Sequence, residues 1–221
     1  MAHFREIVER LRDMILSFKG PINIVICHLD LDSLVAAFAI KYYIHCIPGN
    51  VRYIDIFYQG DMNDPLISNI CKHFHLPYKR MKPISKFRGE GQSIFIDFVG
   101  ELGIPVSNIR PSVIIGNVKD EVVHSHDKNI IIFGSHVVSA SAIMFNIICE
   151  SGYLQFKERG YENLLFLLAI AVEHDTEKTS IHASKNMSIL GRIIHLIGFR
   201  KFHDFIDKLP KSILNVKVRS S

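Results

Sequence analysis

"NIVICHLDLDSLVAAFAI", residues 23–40, sets an apolar run against His28, Asp30 and Asp32 and then opens a second apolar run at Leu34. The first run is continuous rather than alternating, the pattern of a strand buried on both faces of a sheet. The second has helical length, runs from Ser33 to about residue 47, and is stopped by "PGN" at 48–50. Strand then helix, with three ionisable groups at the junction, predicts an α/β protein with chemistry at a strand's carboxyl end. Ionised carboxylates beside a buried strand are costly unless something compensates them. A metal, a partner and solvent are the candidates.

The same alternation repeats along the chain. "VRYIDIFY" (51–58) reads as a second strand and residues 64–74 as a helix, with Pro65 in its first turn. The basic stretch 79–92 reads as an irregular connection. "SIFIDF" is a strand ending at Asp97, "SVIIGNV" one ending near Asn117, and "NIIIF" a fifth. Residues 139–150 read as a helix, and "ENLLFLLAIAVEH" as an apolar helix that delivers Asp175 at its end. Helical pieces run on to Leu209, and "ILNVKV" alternates like an edge strand able to pair here or in a partner. The expected architecture is a mostly parallel sheet flanked by helices, in which ligands sit beyond the carboxyl ends of the strands. His28, Asp30 and Asp32, then Asp97, then Gly116 and Asn117 all fall at such ends.

At 221 residues, 48% hydrophobic and 22% charged, the composition is that of one soluble globular domain. No run is apolar for long enough to span a membrane, and the first 18 residues read as an amphipathic helix rather than a signal peptide. Cys27, Cys46, Cys71 and Cys149 are scattered without a CxxC pair, so neither a zinc site nor a disulfide framework is expected, and an intracellular, cytoplasmic setting near the nucleoid is. The formal charge is only +4, but Lys79, Arg80, Lys82, Lys86 and Arg88 bring five cations into ten residues without an acid. Such a run is a solvated face, or a contact for single-stranded DNA or an acidic partner.

Residues two apart on an extended chain face the same side, so His28, Asp30 and Asp32 converge if strand geometry persists that far. Hard cations such as Mg²⁺ and Mn²⁺ take carboxylates, and Asp97 and Asp175 would complete an acidic cluster. Two such cations activate water and steady the leaving oxygen of a phosphodiester. Plainer roles compete: His28 as a cap on the strand end, Asp32 as N-cap of the following helix, and Asp175 with Thr176 as a cap after the long helix. His73 and His75 read as surface residues.

In order along the chain, "HLDLDSL", "FIDF", the serine pair in "SHVVSASAIMFNIICESG" and "AVEHDTEKTS" resemble the motifs of the DHH phosphoesterase superfamily, in its RecJ-like branch. The resemblance runs from about residue 20 to 185, leaving 186–221 as an extension without the C-terminal DHH-associated domain. It implies a site made of His28, Asp30, Asp32, Asp97, Asn117 and Asp175, with Asp30, Asp32, Asp97 and Asp175 as the acids for any retained metal. The Asp-His-His motif that names the family is missing: Gly116, Asn117 and Val118 stand in its place. His124 and His126 follow too late to replace it, and Lys119 is a candidate to fill the vacated space. Losing several positioned groups together removes catalysis far more thoroughly than losing one.

The chain is therefore most similar to the short, eroded archaeal members of the replication fork. Those are relatives of the cell-division-cycle component of the eukaryotic CMG helicase. That resemblance implies a catalytically inactive scaffold that binds the GINS complex, supports the MCM helicase through it, and needs no cofactor. The alternative is a phosphoesterase or 5′→3′ single-strand exonuclease working with Mn²⁺ or Mg²⁺ on the surviving acids.

Overall fold

The computed structural model of the chain describes residues 2–49, 53–97, 111–116, 130–134, 138–152, 161–178, 183–210 and 213. Helix α1 (Ala2–Ser17) leads into strand β1 (Ile22–Ile26), followed by α2 (Leu31–Cys46), β2 (Ile54–Tyr58), α3 (Pro65–His73) and a two-residue β3 (Lys82–Pro83). Then come β4 (Gln92–Ile96), β5 (Val113–Gly116), β6 (Ile131–Gly134) and helices α4 (Ala140–Glu150), α5 (Tyr161–Lys178), α6 (Ala183–Ile197) and α7 (Phe199–Lys208). The six strands form one sheet in the order β3-β2-β1-β4-β5-β6, and every pairing is parallel. The α/β class is as the apolar runs predict.

β1 is buried along its whole length because both its faces are covered. Ile22, Ile24 and Ile26 enter the main core, while Val25 and Cys27 join Phe57, Phe87, Phe95 and Ile114 in a smaller cluster. α2 is apolar nearly all round, which suits a helix packed on several sides; it lies against β1, α4 and α5. α1 contributes a narrower stripe, Ile7, Leu11 and Ile15, at a spacing of four. Leu11 and Ile15 are fully buried, each worth about 1.5–3 kcal/mol of transfer free energy. Among the described residues no helix is long and apolar enough to cross a membrane.

The chain winds outward from β1 through β2 to β3, then returns to β4 on the other side of β1 and winds away through β5 to β6. Direction therefore reverses between β1 and β4. In such sheets the crevice opens at that switch point, outside the carboxyl ends of the two central strands. Cys27 and His28 follow β1 there, and Asp97 follows β4.

Three readings of the sequence need adjustment. The basic stretch is not irregular throughout: Lys82 and Pro83 pair with Phe57 and Tyr58, between single 3-10 turns at Tyr78–Arg80 and Ile84–Lys86. Helix α5 does not stop before Asp175 but runs through Thr176 to Lys178. The Thr176 hydroxyl bonds back to the Val172 carbonyl at 2.6 Å, a use that keeps threonine inside a helix. Of the C-terminal stretch read as a strand, Ile213 is buried and its N–H reaches the Pro210 carbonyl at 2.8 Å, a turn geometry; residues 214–221 lie outside the described ones.

Candidate functional site

The crevice is built where β1 hands over to α2. Strand geometry ends at Ile26, and His28 turns out to solvent. Its carbonyl accepts the Ser33 hydroxyl at 2.6 Å. Asp30, extended at φ −135°, is the N-cap of α2. Its Oδ1 accepts the Ser33 N–H at 2.8 Å while its own N–H reaches Ser33 Oγ at 3.0 Å, a reciprocal capping box. This overturns Asp32 as the cap: the chain turns helical two residues earlier than the sequence suggests, which puts Asp32 inside the first turn. The extended geometry that would align His28, Asp30 and Asp32 on one side does not persist to Asp32, which lies in the first turn of α2.

Asp32 instead points into the protein. It is 8% exposed, and it meets the start of α4, more than a hundred residues away in sequence. Its Oδ2 accepts the Ala140 N–H at 2.7 Å and its Oδ1 the Ser141 N–H at 2.9 Å. The Ser141 hydroxyl returns a bond to the Asp32 carbonyl at 2.9 Å. Asn186 of α6, fully buried, accepts the Ser139 N–H on Oδ1 at 3.2 Å and donates Nδ2 to Asp175 Oδ2 at 3.2 Å. Ser139 Oγ accepts the Ala142 N–H at 3.1 Å. The N–H groups of residues 139–142, which a helix cannot satisfy internally, thus all have partners, and a carboxylate occupies the positive end of the helix.

Burial raises the Asp32 carboxyl from 3.8 to about 7; the charges of Asp175 and then Asp30 add to the rise, and contacts from Ser141 oppose it. The three acids of the resemblance's first and fourth motifs therefore do share one corner. Asp97, the acid of the second motif, comes from the end of β4. Its backbone is left-handed (φ 55°), and its N–H donates to Ile115 at 2.8 Å. Its charge falls on Cys27, whose thiol rises to about 12, mainly through burial.

Gly116 closes the space beside Asp97. Its φ is +133°, and a Cβ there would stand 2.8 Å from Asp97 Cα and 2.9 Å from Asp97 N. No side chain, and so no aspartate, fits at 116 unless the Asp97 backbone moves. Asn117, Lys119, His124 and His126 lie outside the described residues. Among the described residues no three His, Cys, Asp or Glu side chains come together as a metal-holding group. A two-cation phosphoesterase centre does not fit the donor set that is described: Asp32 has both oxygens on backbone N–H groups, and Gly116 has no ligand to offer.

The cations of the basic stretch have different surroundings. Lys79, Arg80, Lys86 and Arg88 are exposed. Lys82 bonds Asp55 Oδ2 at 2.7 Å and lies 5.6 Å from the centre of the Phe57 ring. Arg88 is turned onto the Ser85 carbonyl at 3.0 Å. His73 and His75 are exposed as expected, with the His73 ring beside Phe74.

Asn186 is the site residue that sequence reasoning did not assign, whereas the serine pair Ser139 and Ser141 was read only as a motif that opens a helix. A serine just before an apolar helical run signals an N-cap, which Ser139 is. Nothing around Asn186 marks a buried bridge.

No family model matches the sequence, and no curated protein matches it. Among solved structures, an exopolyphosphatase-related protein from Bacteroides fragilis superposes with a TM-score of 0.54 over 87% of this chain, at 12% sequence identity. The two share a fold. It is the α/β fold expected from the DHH-like motifs, and at that identity the likeness extends to nothing finer. This chain covers 60% of the length of that protein.

Proposed function

We propose that this is a catalytically silent DHH-type domain that works as a binding scaffold, and that it serves an archaeal replication helicase by binding GINS and thereby supporting MCM. The carrying observation is the use of Asp32. A carboxylate the family resemblance assigns to metal holds the N-terminus of α4 with both oxygens, and Gly116 excludes the aspartate that would renew the opposite wall. What remains is a parallel sheet whose crevice holds a structural joint between α2 and α4. The replication assignment rests on the similarity of the eroded motifs to the short archaeal members.

Gel filtration with the GINS complex, with and without EDTA, tests the partner. The expected result is stoichiometric co-elution in both. Calorimetry with Mn²⁺, run beside nuclease and pyrophosphatase assays, tests the silence of the site. Turnover that needs Mn²⁺ and disappears in Asp97→Ala would overturn the scaffold reading in favour of a phosphoesterase or exonuclease.

A further inference from the structure

At the opposite end of α2 from Asp30, the protein has a second concavity of about 220 Å³. Its walls include Phe38, Lys41 and His45 of α2, Tyr53 ahead of β2, and Arg80 and Met81 of the basic stretch. Residues 38, 41 and 45 stand three and four apart and so share one helix face. At 1.5 Å per residue they are separated from the Asp30 corner by roughly 12–22 Å along the helix axis. The inference does not depend on the fate of the carboxyl-end crevice.

The electrostatics of this pocket are unbalanced. Asp55 is the one acid among its lining residues, and its Oδ2 is already bonded to Lys82 at 2.7 Å. Lys41, half-buried, and the exposed Arg80 have no ion pair among the described residues. Burial, and then the charge of Arg80, press the Lys41 ammonium below its ordinary value against the pull of Asp55. Two cations brought together in a partly apolar pocket, whose one acid is already bonded to Lys82, form a place that an incoming anion improves. His45 is oriented by a 2.7 Å contact between Nδ1 and the Lys41 carbonyl. Tyr53 stands at the rim, 68% exposed.

We propose that this pocket is a docking site for an acidic side chain of a partner protein, a glutamate or aspartate carried beside apolar residues. The mixture favours a protein over a nucleic acid. A polyanionic backbone tracks exposed cations along a groove and stacks its bases on successive aromatic rings. Here the inner cation, Lys41, is half-buried in a pocket that also has Phe38, Ile54, Ile56 and Met81 in its lining, and Tyr53 is its one exposed tyrosine or phenylalanine ring. Tyrosine and arginine around a small pocket are also residues that anchor protein interfaces.

The test is fluorescence anisotropy on the full chain with three labelled probes: a peptide with glutamates set between leucines, its glutamine analogue, and an oligothymidylate. The acidic peptide is expected to saturate the protein and the glutamine analogue to fail. Lys41→Met and Arg80→Gln should each weaken the acidic peptide at least tenfold, with unchanged melting temperatures, while Lys185→Gln on α6 should not. Arg80 is exposed, so its variant carries the test even where Lys41→Met folds poorly. The proposal is overturned by no saturation with the acidic peptide, by equal binding of the glutamine analogue, or by wild-type affinity in both pocket variants. Saturation by the oligothymidylate alone, lost in those variants, would make this a phosphate site and overturn it too.

Discussion

Removing the Asp32 carboxylate sets two large effects against each other, and pH decides which prevails. In Asp32→Ala the N–H groups of Ala140 and Ser141 lose their acceptors inside the protein. A buried donor left without a partner costs about 1–3 kcal/mol, so the pair costs about 2–6 kcal/mol. The same change relieves a buried acid crowded by Asp175 and Asp30. Its folded-state pKa of about 7 stands above the ordinary 3.8. Between those values the folded protein holds more protons than the unfolded chain, so this group's contribution to stability falls as pH rises through the window. One proton changes stability by at most about 1.4 kcal/mol per pH unit, or about 2–3 kcal/mol between roughly pH 5 and pH 7.5.

Asp32→Ala should therefore be clearly destabilised near pH 5, with the deficit shrinking by about 2–3 kcal/mol near pH 7.5. Urea denaturation followed by circular dichroism at the two pH values reads both numbers. A deficit that stays constant or grows with pH would rule out a protonated Asp32 in the folded protein at pH 5. It would mean that the two N–H bonds and the α4 dipole outweigh burial and keep Asp32 ionised throughout.

Other substitutions probe the neighbouring contacts. Gly116→Asp, which writes back the family's acid, should cost about 2–4 kcal/mol through the close approach of Asp97 and the left-handed φ, and should gain no Mn²⁺ binding by calorimetry. Asn186→Ala should cost about 2–4 kcal/mol in thermal or urea melts, because it strands the Ser139 N–H and removes a donor to Asp175. Asp30→Ala removes an N-cap and should cost only about 1 kcal/mol, with Ser33→Ala similar. A loss above about 3 kcal/mol in Asp30→Ala would give that residue a role beyond capping.

The sheet was legible because its signal is local. "IVI" at 24–26, "IFI" at 94–96 and "VII" at 113–115 are continuous apolar runs, and burial on both faces demands that pattern wherever the strand sits. The location of the crevice was legible for the same reason, since polar groups followed each run. The role of Asp32 was not. Its partners are backbone N–H groups that every residue owns, brought to it only by the tertiary fold, so no side-chain pattern announces them. Sequence spacing favoured a strand-like alignment of residues 28, 30 and 32, whereas Ser33 closes a capping box that turns the chain helical at once. The left-handed backbone of Asp97 was equally hidden, because glycine is the residue that normally signals such a conformation.

The joint at the start of α4 has a consequence for how the molecule breathes. Amide protons in the first turn of a helix ordinarily exchange with solvent quickly, since no earlier carbonyl holds them. Those of Ala140 and Ser141 are held by a residue of α2, and that of Ser139 by a residue of α6. Fraying α4 alone cannot release them; α2 or α6 has to move as well. In native-state deuterium exchange these three amides should follow the slowest opening of the protein, and residues 30–33, 139–142 and 186 should come apart as one cooperative unit.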